Sequence, residues 1–555
     1  MLQTAKTAAI TILDVLREEA ATVIFGNPGS TEMPLMDALV GQHDITYVLG
    51  LQEATALGMA DGYAQMSNRP AFVNLHGLGG LGNAMGAVVN AAVSNTPLVI
   101  TAGQQDARHL IHEPWLSGDA AGLVRPLTKW AHEIRSVEEL GPALRRAFAI
   151  AAAEPRGPVF VSFPMNFLGE PAGARVSARS VPPKLPAADA DALAEALAGY
   201  PADRVAIILS DEVSVSNGIE AAVALADATG WRVHGAPLLR SNVFPSRHPA
   251  WRGLLKADFA ALRADFEPYN ALLLIGGRNS LLPHNYSPAQ ILPENTRLYQ
   301  VSADMHGLSR HAPATLALVG DAGQTLRALG ERMAASKPDA EHASKLKAER
   351  DALNEAVRGG IAELKDARPL MPAVAVSLLL EALPKDIPIV NEAPCAYDAV
   401  RDQLTTTSRS KYFFARGGAL GWGMPAAVGA SLAEGRAPVV CLIGDGSAMY
   451  SPQALWSAAH YDAPVIFVVL NNRRYDVLMR VAQRLGFVNA RHGHFVAMSL
   501  TEPAIDYAAL AEAHGLAYSR AEEPQAVGEA VRKALENRKP CVIEIPIGGH
   551  PFAQA

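Results

Sequence analysis

Cysteine is scarce in this sequence, since only Cys395, Cys441 and Cys541 occur among 555 residues. The three are odd in number, far apart and without metal-ligand spacing, which excludes a disulfide framework and a cysteine-based zinc site. Cys441 stands in an apolar run and is expected to be a small core residue. Such cysteine usage is typical of a reducing compartment, and we expect a cytoplasmic protein.

The sequence also has no strong excess of charge of one sign and no long apolar runs. The chain has 48 basic and 55 acidic residues, a formal net charge of −7 and no long run of like charges, so no nucleic-acid partner is expected. It has no charge-free apolar stretch of membrane-spanning length and no signal-peptide core at its N-terminus, so no membrane association is expected. With 49% hydrophobic residues, the composition is that of a globular protein of several domains.

Short apolar runs alternate with helical patterns, which predicts an α/β fold of three doubly wound parallel-sheet domains. We place these domains at residues 1–170, 189–335 and 365–555, with a Pro- and Ala-rich linker at 169–188 and a charged helix at 336–358. Ser451 is expected to cap the helix between the last two strands. The main predicted strands are Thr22–Phe25, Thr46–Leu49, Ala71–Leu75, Leu98–Ala102, Val159–Phe163, Val205–Leu209, Ala271–Gly276, Ala317–Val319, Val439–Ile443 and Pro464–Leu470.

The segment 439–472 contains two of these strands and polar residues at both strand ends. One strand leads into Gly444-Asp445-Gly446, and the next leads into Asn472. Because parallel strands in a βαβ unit end at the same edge of a sheet, Asp445 and Asn472 should converge. Carboxylate and amide oxygens suit Mg²⁺, and the glycines let main-chain N–H groups approach a diphosphate. The segment predicts a magnesium-diphosphate site; the alternative is an ordinary βαβ unit with a glycine turn.

Two polar residues follow predicted strands in the first segment. Ser30 ends the turn 26–30, where open α/β sheets bind ligands, although it can equally cap the next helix. Glu53 begins a helix that is otherwise rich in Ala, Gly, Leu and Met. A carboxylate in such surroundings is costly to bury unless it is paired, so Glu53 suits a bond to a protonated ring nitrogen. The alternative is a helix-start residue favoured by the helix dipole.

The stretch His76–Gly82 has two interpretations. Gly77, Gly79 and Gly82 match the GxGxxG pattern, and Asp106 follows further along the chain, as in a dinucleotide site. This reading favours an NAD- or FAD-dependent oxidoreductase. His76 is not part of that pattern, and an imidazole at the carboxyl edge of a sheet is a candidate acid/base, although a single histidine is more often structural.

Together these motifs resemble the thiamine-diphosphate-dependent decarboxylase family, and within it the benzoylformate decarboxylases. The similar blocks run essentially end to end and read FGNPGSTE, LQEATALGMADGYAQ, NLHGLGG, TAGQQ, FPSRHPAWRGL, LGWGMPAAVGASLAE and GDGSAMYS. The resemblance implies pyrimidine-binding, central and diphosphate-binding domains, with active sites shared between subunits of a homotetramer. It also implies thiamine diphosphate, Mg²⁺ and the decarboxylation of a 2-oxo acid to an aldehyde, with carboligase side activity.

The resemblance assigns roles residue by residue. Glu53 would bind the aminopyrimidine ring, and Leu420 would wedge the cofactor into a bent shape. Ser30, His76 and His284 would bind the substrate and transfer protons. The other implied cofactor contacts are Gly418, Gly444, Asp445, Gly446, Ser447, Asn472 and Tyr475. The implied metal ligands are Asp445, Asn472 and the main-chain carbonyl of Arg474.

The pocket departs from the family pattern. Its implied residues are Ser30, Trp115, Leu116, Pro394, Val477 and Val481. Trp115 replaces a leucine, Val481 a phenylalanine, and Pro394-Cys395 a Thr-Ser pair. Arg416 stands where a small residue is expected, and Ala419 lengthens the adjoining turn. The catalytic set is therefore kept while the pocket changes, so the benzoyl group does not carry over.

Three other functions compete with the decarboxylase. An acetolactate-synthase-like or 2-hydroxyacyl-CoA-lyase-like carboligase would use the same cofactor, and His76 with His284 favours the decarboxylase over it. An oxidoreductase built on Gly77–Gly82 is the second competitor. A non-enzymatic scaffold is the third, and it would not need Glu53.

Overall fold

A computed structural model describes residues 7–171, 178–179, 181, 184–277, 281, 285–334, 336, 338–405, 408 and 411–549. It contains three six-stranded parallel sheets with helices between the strands, which confirms the predicted fold class. Two compact units are present, one of residues 1–183, 389–395 and 415–555 and the other of 184–388 and 396–414. The three predicted domain boundaries remain a prediction. None of the described helices is long and apolar enough for a membrane span.

The first sheet belongs to the first unit. Its strands are β1 (Val23–Gly26), β2 (Thr46–Leu49), β3 (Ala71–Leu75), β4 (Leu98–Gln104), β5 (Ala131–Glu133) and β6 (Val159–Pro164), in the order β2-β1-β3-β4-β6-β5. The helices are α1 (Ala8–Glu18), α2 (Met33–Leu39), α3 (Glu53–Ser67), α4 (Gly77–Val93), α5 (Ala120–Val124), α6 (Leu140–Ala152) and α7 (Met165–Gly169). α1 buries Ile12 and Leu16 in a core that also contains Phe72 and Val99. The turns after β1, β2 and β3 leave the same edge of this sheet, because all three strands are parallel.

The second sheet has the order β12-β11-β10-β7-β8-β9 and belongs to the second unit. Its strands are β7 (Val205–Leu209), β8 (Arg232–Gly235), β9 (Trp251–Leu254), β10 (Ala271–Ile275), β11 (Arg297–Ser302) and β12 (Leu316–Val319). The helices are α8 (Ala190–Leu197), α9 (Asp211–Val215), α10 (Ile219–Thr229), α11 (Phe259–Phe266), α12 (Ala322–Arg332), α13 (Ala340–Leu364), α14 (Pro372–Ala382) and α15 (Tyr397–Gln403). The charged helix predicted at 336–358 is α13.

The third sheet has the order β14-β13-β15-β16-β18-β17. Its strands are β13 (Ile389–Glu392), β14 (Tyr412–Phe414), β15 (Val439–Gly444), β16 (Val465–Asn471), β17 (Ala517–Arg520) and β18 (Cys541–Pro546). The helices are α16 (Gly423–Ala433), α17 (Asp445–Ala448), α18 (Gln453–His460), α19 (Asp476–Arg484), α20 (Val488–Arg491), α21 (Tyr507–Ala513) and α22 (Pro524–Asn537). Gly444 pairs with Leu470 across β15 and β16, so the two strands end at one edge.

The predicted Ser451 cap is wrong. α18 begins at Gln453, and Pro452 before it already has helical dihedral angles. The first-turn N–H of Ala454 donates to the main-chain carbonyl of Ser451 at 3.0 Å. The hydroxyl is therefore left buried, with no hydrogen-bond partner in the described part of the chain.

Within the first unit, α3 and α16 lie in very close contact. A Cβ at Gly62 would overlap the main chain of Ala426, and one at Gly429 would overlap the carbonyl of Met59. Asp61 on α3 accepts a hydrogen bond from the indole Nε1 of Trp422 at 2.9 Å, just before α16 begins. The small residues of α3 thus serve helix packing along most of its length.

Candidate active site

His76 lies between β3 and α4 and points its Nδ1 into a set of buried oxygen atoms. Nδ1 lies 2.9 Å from Oε2 of Glu32 and 3.1 Å from Oγ1 of Thr31. A Cβ at Gly29 would overlap the imidazole ring, so the turn after β1 packs directly against the ring. Because Glu32 occupies Nδ1, the tautomer with a proton on Nδ1 is favoured and Nε2 is left for other partners.

Glu32 is one of the residues at this candidate site that the sequence analysis missed. Its side chain is only 1% exposed, and its two oxygens accept hydrogen bonds from Gly29 N at 2.9 Å, Gly103 N at 2.9 Å and Thr31 Oγ1 at 2.7 Å. These three contacts fix the orientation of the Glu32 carboxylate, which also contacts His76. The motif FGNPGSTE contains this glutamate, but no local spacing links it to a histidine 44 positions later.

Ser30 and His284 are the other residues predicted to bind the substrate and transfer protons. Ser30 begins a one-turn 3₁₀ helix, Ser30–Glu32, and its side chain is exposed. It stands between Gly29 and Thr31, which both contact His76. His284 lies outside the described residues.

Glu53 is the first residue of α3, and its side chain is half-buried. Gln52 caps the helix by accepting from Thr55 N at 3.1 Å. One oxygen of Glu53 accepts from Nδ2 of Asn83 on α4 at 3.1 Å, and Gly80 on the same helix leaves space for the carboxylate. The carboxylate is thus held against the start of α4, the helix that His76 precedes. The helix-start position also fits the alternative that the dipole favours Glu53.

The GxGxxG stretch does not form a phosphate-binding turn. Gly77, Gly79 and Gly82 all lie within α4. A Cβ at Gly79 or Gly82 would meet no atom within 4 Å, so no close approach of main chain demands glycine there. Asp106 is engaged by the side chain of Arg108. The oxidoreductase interpretation of this stretch is therefore not supported by the geometry.

Asp445, directly after β15, meets the loop after β16. Its Oδ1 accepts from Gly446 N at 2.8 Å, while Oδ2 is buried without a hydrogen-bond partner among the described residues. Burial raises the pKa of this carboxyl above its usual range, and main-chain N–H groups of Gly446, Arg473, Arg474 and Asn472 act in the opposite direction. A buried carboxylate with an unpartnered oxygen is suited to bind a cation, because a cation would offset the cost of burying the charge.

The oxygen atoms next to the Asp445 carboxylate are suited to bind a hydrated divalent cation. The Asn472 amide oxygen accepts from Arg474 N at 3.1 Å, and the Asp445 carbonyl is held by the Tyr507 hydroxyl at 2.7 Å. No cluster of three His, Cys, Asp or Glu side chains suited to a metal occurs in the described residues. The predicted ligands are the Asp445 carboxylate, the Asn472 amide oxygen and the main-chain carbonyl of Arg474. Mg²⁺ uses protein oxygens of this kind together with phosphate and water.

The predicted diphosphate contacts lie around the same strand end. Gly444 is the last residue of β15, and Gly446 and Ser447 are buried in α17. The aromatic ring of Tyr475 covers Gly446, where a Cβ would lie 3.1 Å from the Cδ1 atom of that ring.

The turn 417–423 carries the predicted pyrimidine contacts Gly418 and Leu420. Gly418 has φ +73°, a conformation that favours glycine, and the Leu420 side chain is 37% exposed. Asn90 on α4 binds both main-chain groups of Ala419. The turn is thus anchored to the helix that follows His76.

A second carboxylate fixes the far end of this turn. Glu392, at the end of β13, is 2% exposed and accepts from the main-chain N–H groups of Gly421 at 2.9 Å, Trp422 at 3.2 Å and Gly423 at 2.8 Å. Burial raises the pKa of Glu392 to about 7, although the three N–H donors lower it.

Several of the residues predicted to line the substrate pocket are exposed. Trp115 is 86% exposed, Pro394 is exposed, and Val477 and Val481 lie on α19. Leu116 has a left-handed main chain with φ +70°, which is uncommon for a leucine.

Three family models for thiamine pyrophosphate enzymes match the chain. The N-terminal TPP binding domain matches residues 6–120, the central domain 190–329 and the C-terminal TPP binding domain 398–545. Each of the three sheets has strands within one of these matched ranges.

Full-length relatives are also similar. Benzoylformate decarboxylase of Pseudomonas aeruginosa is 36% identical over 98% of this chain and 99% of its own length. The solved structure of a thiamine diphosphate-dependent 4-hydroxybenzoylformate decarboxylase from Rhodococcus jostii RHA1 has a TM-score of 0.88 and 32% identity, covering 99% of this chain and 100% of that chain. Acetolactate synthase isozyme 3 large subunit of Escherichia coli is 24% identical over 96% of this chain and 93% of its own length.

Proposed function

From the premise that this chain belongs to the thiamine-diphosphate-dependent decarboxylase family, we propose that it decarboxylates a 2-oxo acid to an aldehyde, with carboligase side activity. The observation that carries the proposal is the contact between His76 and the buried Glu32. A histidine held in this way is suited to move protons at one defined atom.

His76 acts through Nε2 in this proposal. Glu32 fixes the ring through Nδ1, and Thr31 supports the carboxylate, so the imidazole does not need to reorient during proton transfer. His76 would deliver a proton to the carbon that has lost CO₂ and later take one from the product hydroxyl. Ser30 would orient the substrate carboxylate, and His284 would assist the second proton transfer.

The remaining residues bind the cofactor. Asp445, Asn472 and the main-chain carbonyl of Arg474 would hold Mg²⁺, and the buried, unpartnered Oδ2 of Asp445 supports this role. Gly444, Gly446, Ser447 and Tyr475 would surround the diphosphate, while Glu53, Gly418 and Leu420 would contact the pyrimidine. Bound thiamine diphosphate supplies the electron sink that carboxylate loss requires.

We also propose that the protein is a homotetramer. Several large apolar side chains of the first unit are exposed in one chain: Ile111, Trp115, Leu485, Phe487, Val488 and Val496. Apolar surface of this kind is typical of subunit contacts. Light scattering of the purified protein measures the mass, and a monomer at micromolar concentration would contradict this proposal.

The decisive experiment is a panel of 2-oxo acids with thiamine diphosphate and Mg²⁺, read out as CO₂ and aldehyde. We expect a straight-chain acid to exceed benzoylformate in kcat/KM, because Trp115 and Val481 reshape the pocket. Acetolactate formation from pyruvate without free aldehyde would instead favour the second candidate, a carboligase, which the similarity to acetolactate synthase supports. Release of neither CO₂ nor acetolactate would overturn both.

A further inference from the structure

A buried carboxylate opens α19, beside the predicted metal loop. The Asp476 side chain is 0% exposed, and it accepts from Nη2 of Arg474 at 2.9 Å and from Nε of Arg480 at 2.7 Å. The Sγ of Cys395 donates to the same carboxylate at 3.7 Å. Cys395 therefore contacts the same carboxylate that binds Arg480.

This arrangement orients Arg480 and leaves its end open. Asp476 binds Nε, and in the described part of the chain the two Nη atoms of Arg480 have no hydrogen-bond partner. The side chain is 38% exposed. A fixed guanidinium with a free pair of N–H donors is well suited to bind a carboxylate through two hydrogen bonds.

Arg480 also shares a helix face with two predicted pocket residues. Positions 477, 480, 481 and 484 follow helical spacing along α19, so Val477, Arg480, Val481 and Arg484 occupy one side. The buried residues of this helix are Asp476 and Met479. If Val477 and Val481 line the pocket, the Arg480 guanidinium is part of the same wall.

We propose that Arg480 binds a second acidic group of the substrate, so that the preferred 2-oxo acid carries a carboxylate at its distal end. This inference rests on the proposed function and names the substrate class of the same site. It also gives Cys395 a role, since the Cys395 thiol donates to the carboxylate that orients Arg480.

The test compares acids that differ only at the far end. The pairs are 2-oxoglutarate with 2-oxopentanoate and 2-oxoadipate with 2-oxohexanoate, each assayed with the holoenzyme. We expect the wild type to prefer the dicarboxylate at least tenfold in kcat/KM for one pair. Arg480→Met should lower that ratio at least tenfold, and Arg480→Lys should restore part of it. The control Arg532→Met, at an exposed position of α22, should change the ratio less than threefold.

Other outcomes overturn the assignment. An equal loss for both acids of a pair would mean that Arg480 only supports the fold. A loss of thiamine diphosphate affinity with an unchanged ratio would mean that Arg480 contacts the diphosphate instead. A wild type that decarboxylates neutral acids without favouring either dicarboxylate would refute the inference and leave the proposed function intact.

Calorimetry separates the inference from the proposed function. Glutarate, which has two carboxylates and no 2-oxo group, is titrated into the holoenzyme. Binding by the wild type that weakens at least tenfold in Arg480→Met supports Arg480 even if no 2-oxo acid is decarboxylated. Absence of both glutarate binding and turnover would overturn both conclusions.

Discussion

Asn90 binds the main chain of Ala419 through both atoms of its side-chain amide. Nδ2 donates to the carbonyl at 2.7 Å, and Oδ1 accepts from the N–H at 3.1 Å. Asn90 is 2% exposed, so water cannot replace it. The position of Leu420 therefore depends on Asn90, a helix residue that lies 329 positions before Ala419 in the chain.

Asn90→Ala should weaken thiamine diphosphate binding by about tenfold or more. Two part-buried main-chain groups of Ala419 lose their partner, and an unsatisfied group costs up to about 1–3 kcal/mol when it is fully buried. Fluorescence titration of the cofactor measures the effect. The exposed Asn537→Ala is the control, and equal affinities in the two variants would contradict this anchoring role.

Glu32→Gln should lower kcat at least tenfold while cofactor affinity changes little. The amide is nearly the same size, but it is a weaker partner for Nδ1–H of His76 than a carboxylate is. Steady-state kinetics with the best acid of the panel measures kcat. Glu139→Gln changes the surface pair of Glu139 with His132, 3.2 Å apart, and should have no effect. A similar loss in both variants would remove Glu32 from the mechanism.

Glu53→Gln should leave the fold intact and remove most activity. Glutamine can keep the contact with Asn83 but cannot make a charge-assisted bond to the cofactor ring. H/D exchange at C2 of bound thiamine diphosphate should slow at least tenfold, with Glu536→Gln as the control. Unchanged exchange in the Glu53 variant would disprove its role.

Asp445→Asn should stabilise the protein without metal and abolish its stabilisation by Mg²⁺ with thiamine diphosphate. Burial raises the pKa of Asp445, so the metal-free fold binds more protons than the unfolded chain just above the ordinary carboxyl pKa. Its stability therefore falls as pH rises through that window, and asparagine removes this loss. Thermal unfolding with and without Mg²⁺ and cofactor measures both effects. An unchanged Mg²⁺-dependent shift in Tm would exclude Asp445 as a ligand.

Glu392→Gln should remove a pH-dependent part of stability. The pKa of Glu392 is raised to about 7, so between about pH 4.5 and 7 the folded state binds the extra proton. The contribution to the free energy of unfolding falls as pH rises, by at most about 1.4 kcal/mol per pH unit. The wild type should therefore exceed the variant most in Tm at pH 5 and least at pH 8. A difference independent of pH, as expected for the exposed control Glu434→Gln, would refute this account.

The sequence patterns predicted the fold class and the convergence of Asp445 with the Asn472 loop, because both follow from strand periodicity. They missed β8, which contains Arg232 and His234. These side chains are buried because Arg232 pairs with Glu349 at 2.6 Å and His234 bonds to Tyr269 at 3.0 Å. A buried strand that contains polar residues lacks the apolar pattern by which strands are predicted. The partners of those residues lie far along the chain, and no local pattern identifies them.

The same limit applies to the candidate site. His76 was found from its place after a strand, but the orientation of its ring depends on Glu32. Glu392 and Asn90 were missed because their partners are main-chain N–H and carbonyl groups, which leave no trace in a sequence. The roles of the pocket residues remain predictions.

The close packing of α3 on α16 also constrains how the protein is made. Asp61 and Trp422 lie 361 residues apart in sequence, so the ribosome must add most of the chain before their bond can form. Until then α3 exposes the apolar surface that it buries in the finished protein, and Asp61 lacks the indole. We therefore expect the N-terminal third of the chain to remain incompletely packed during synthesis and to be a substrate for chaperones. A nascent chain stalled before residue 423 should be cut by protease within α3, whereas a chain released after residue 433 should resist.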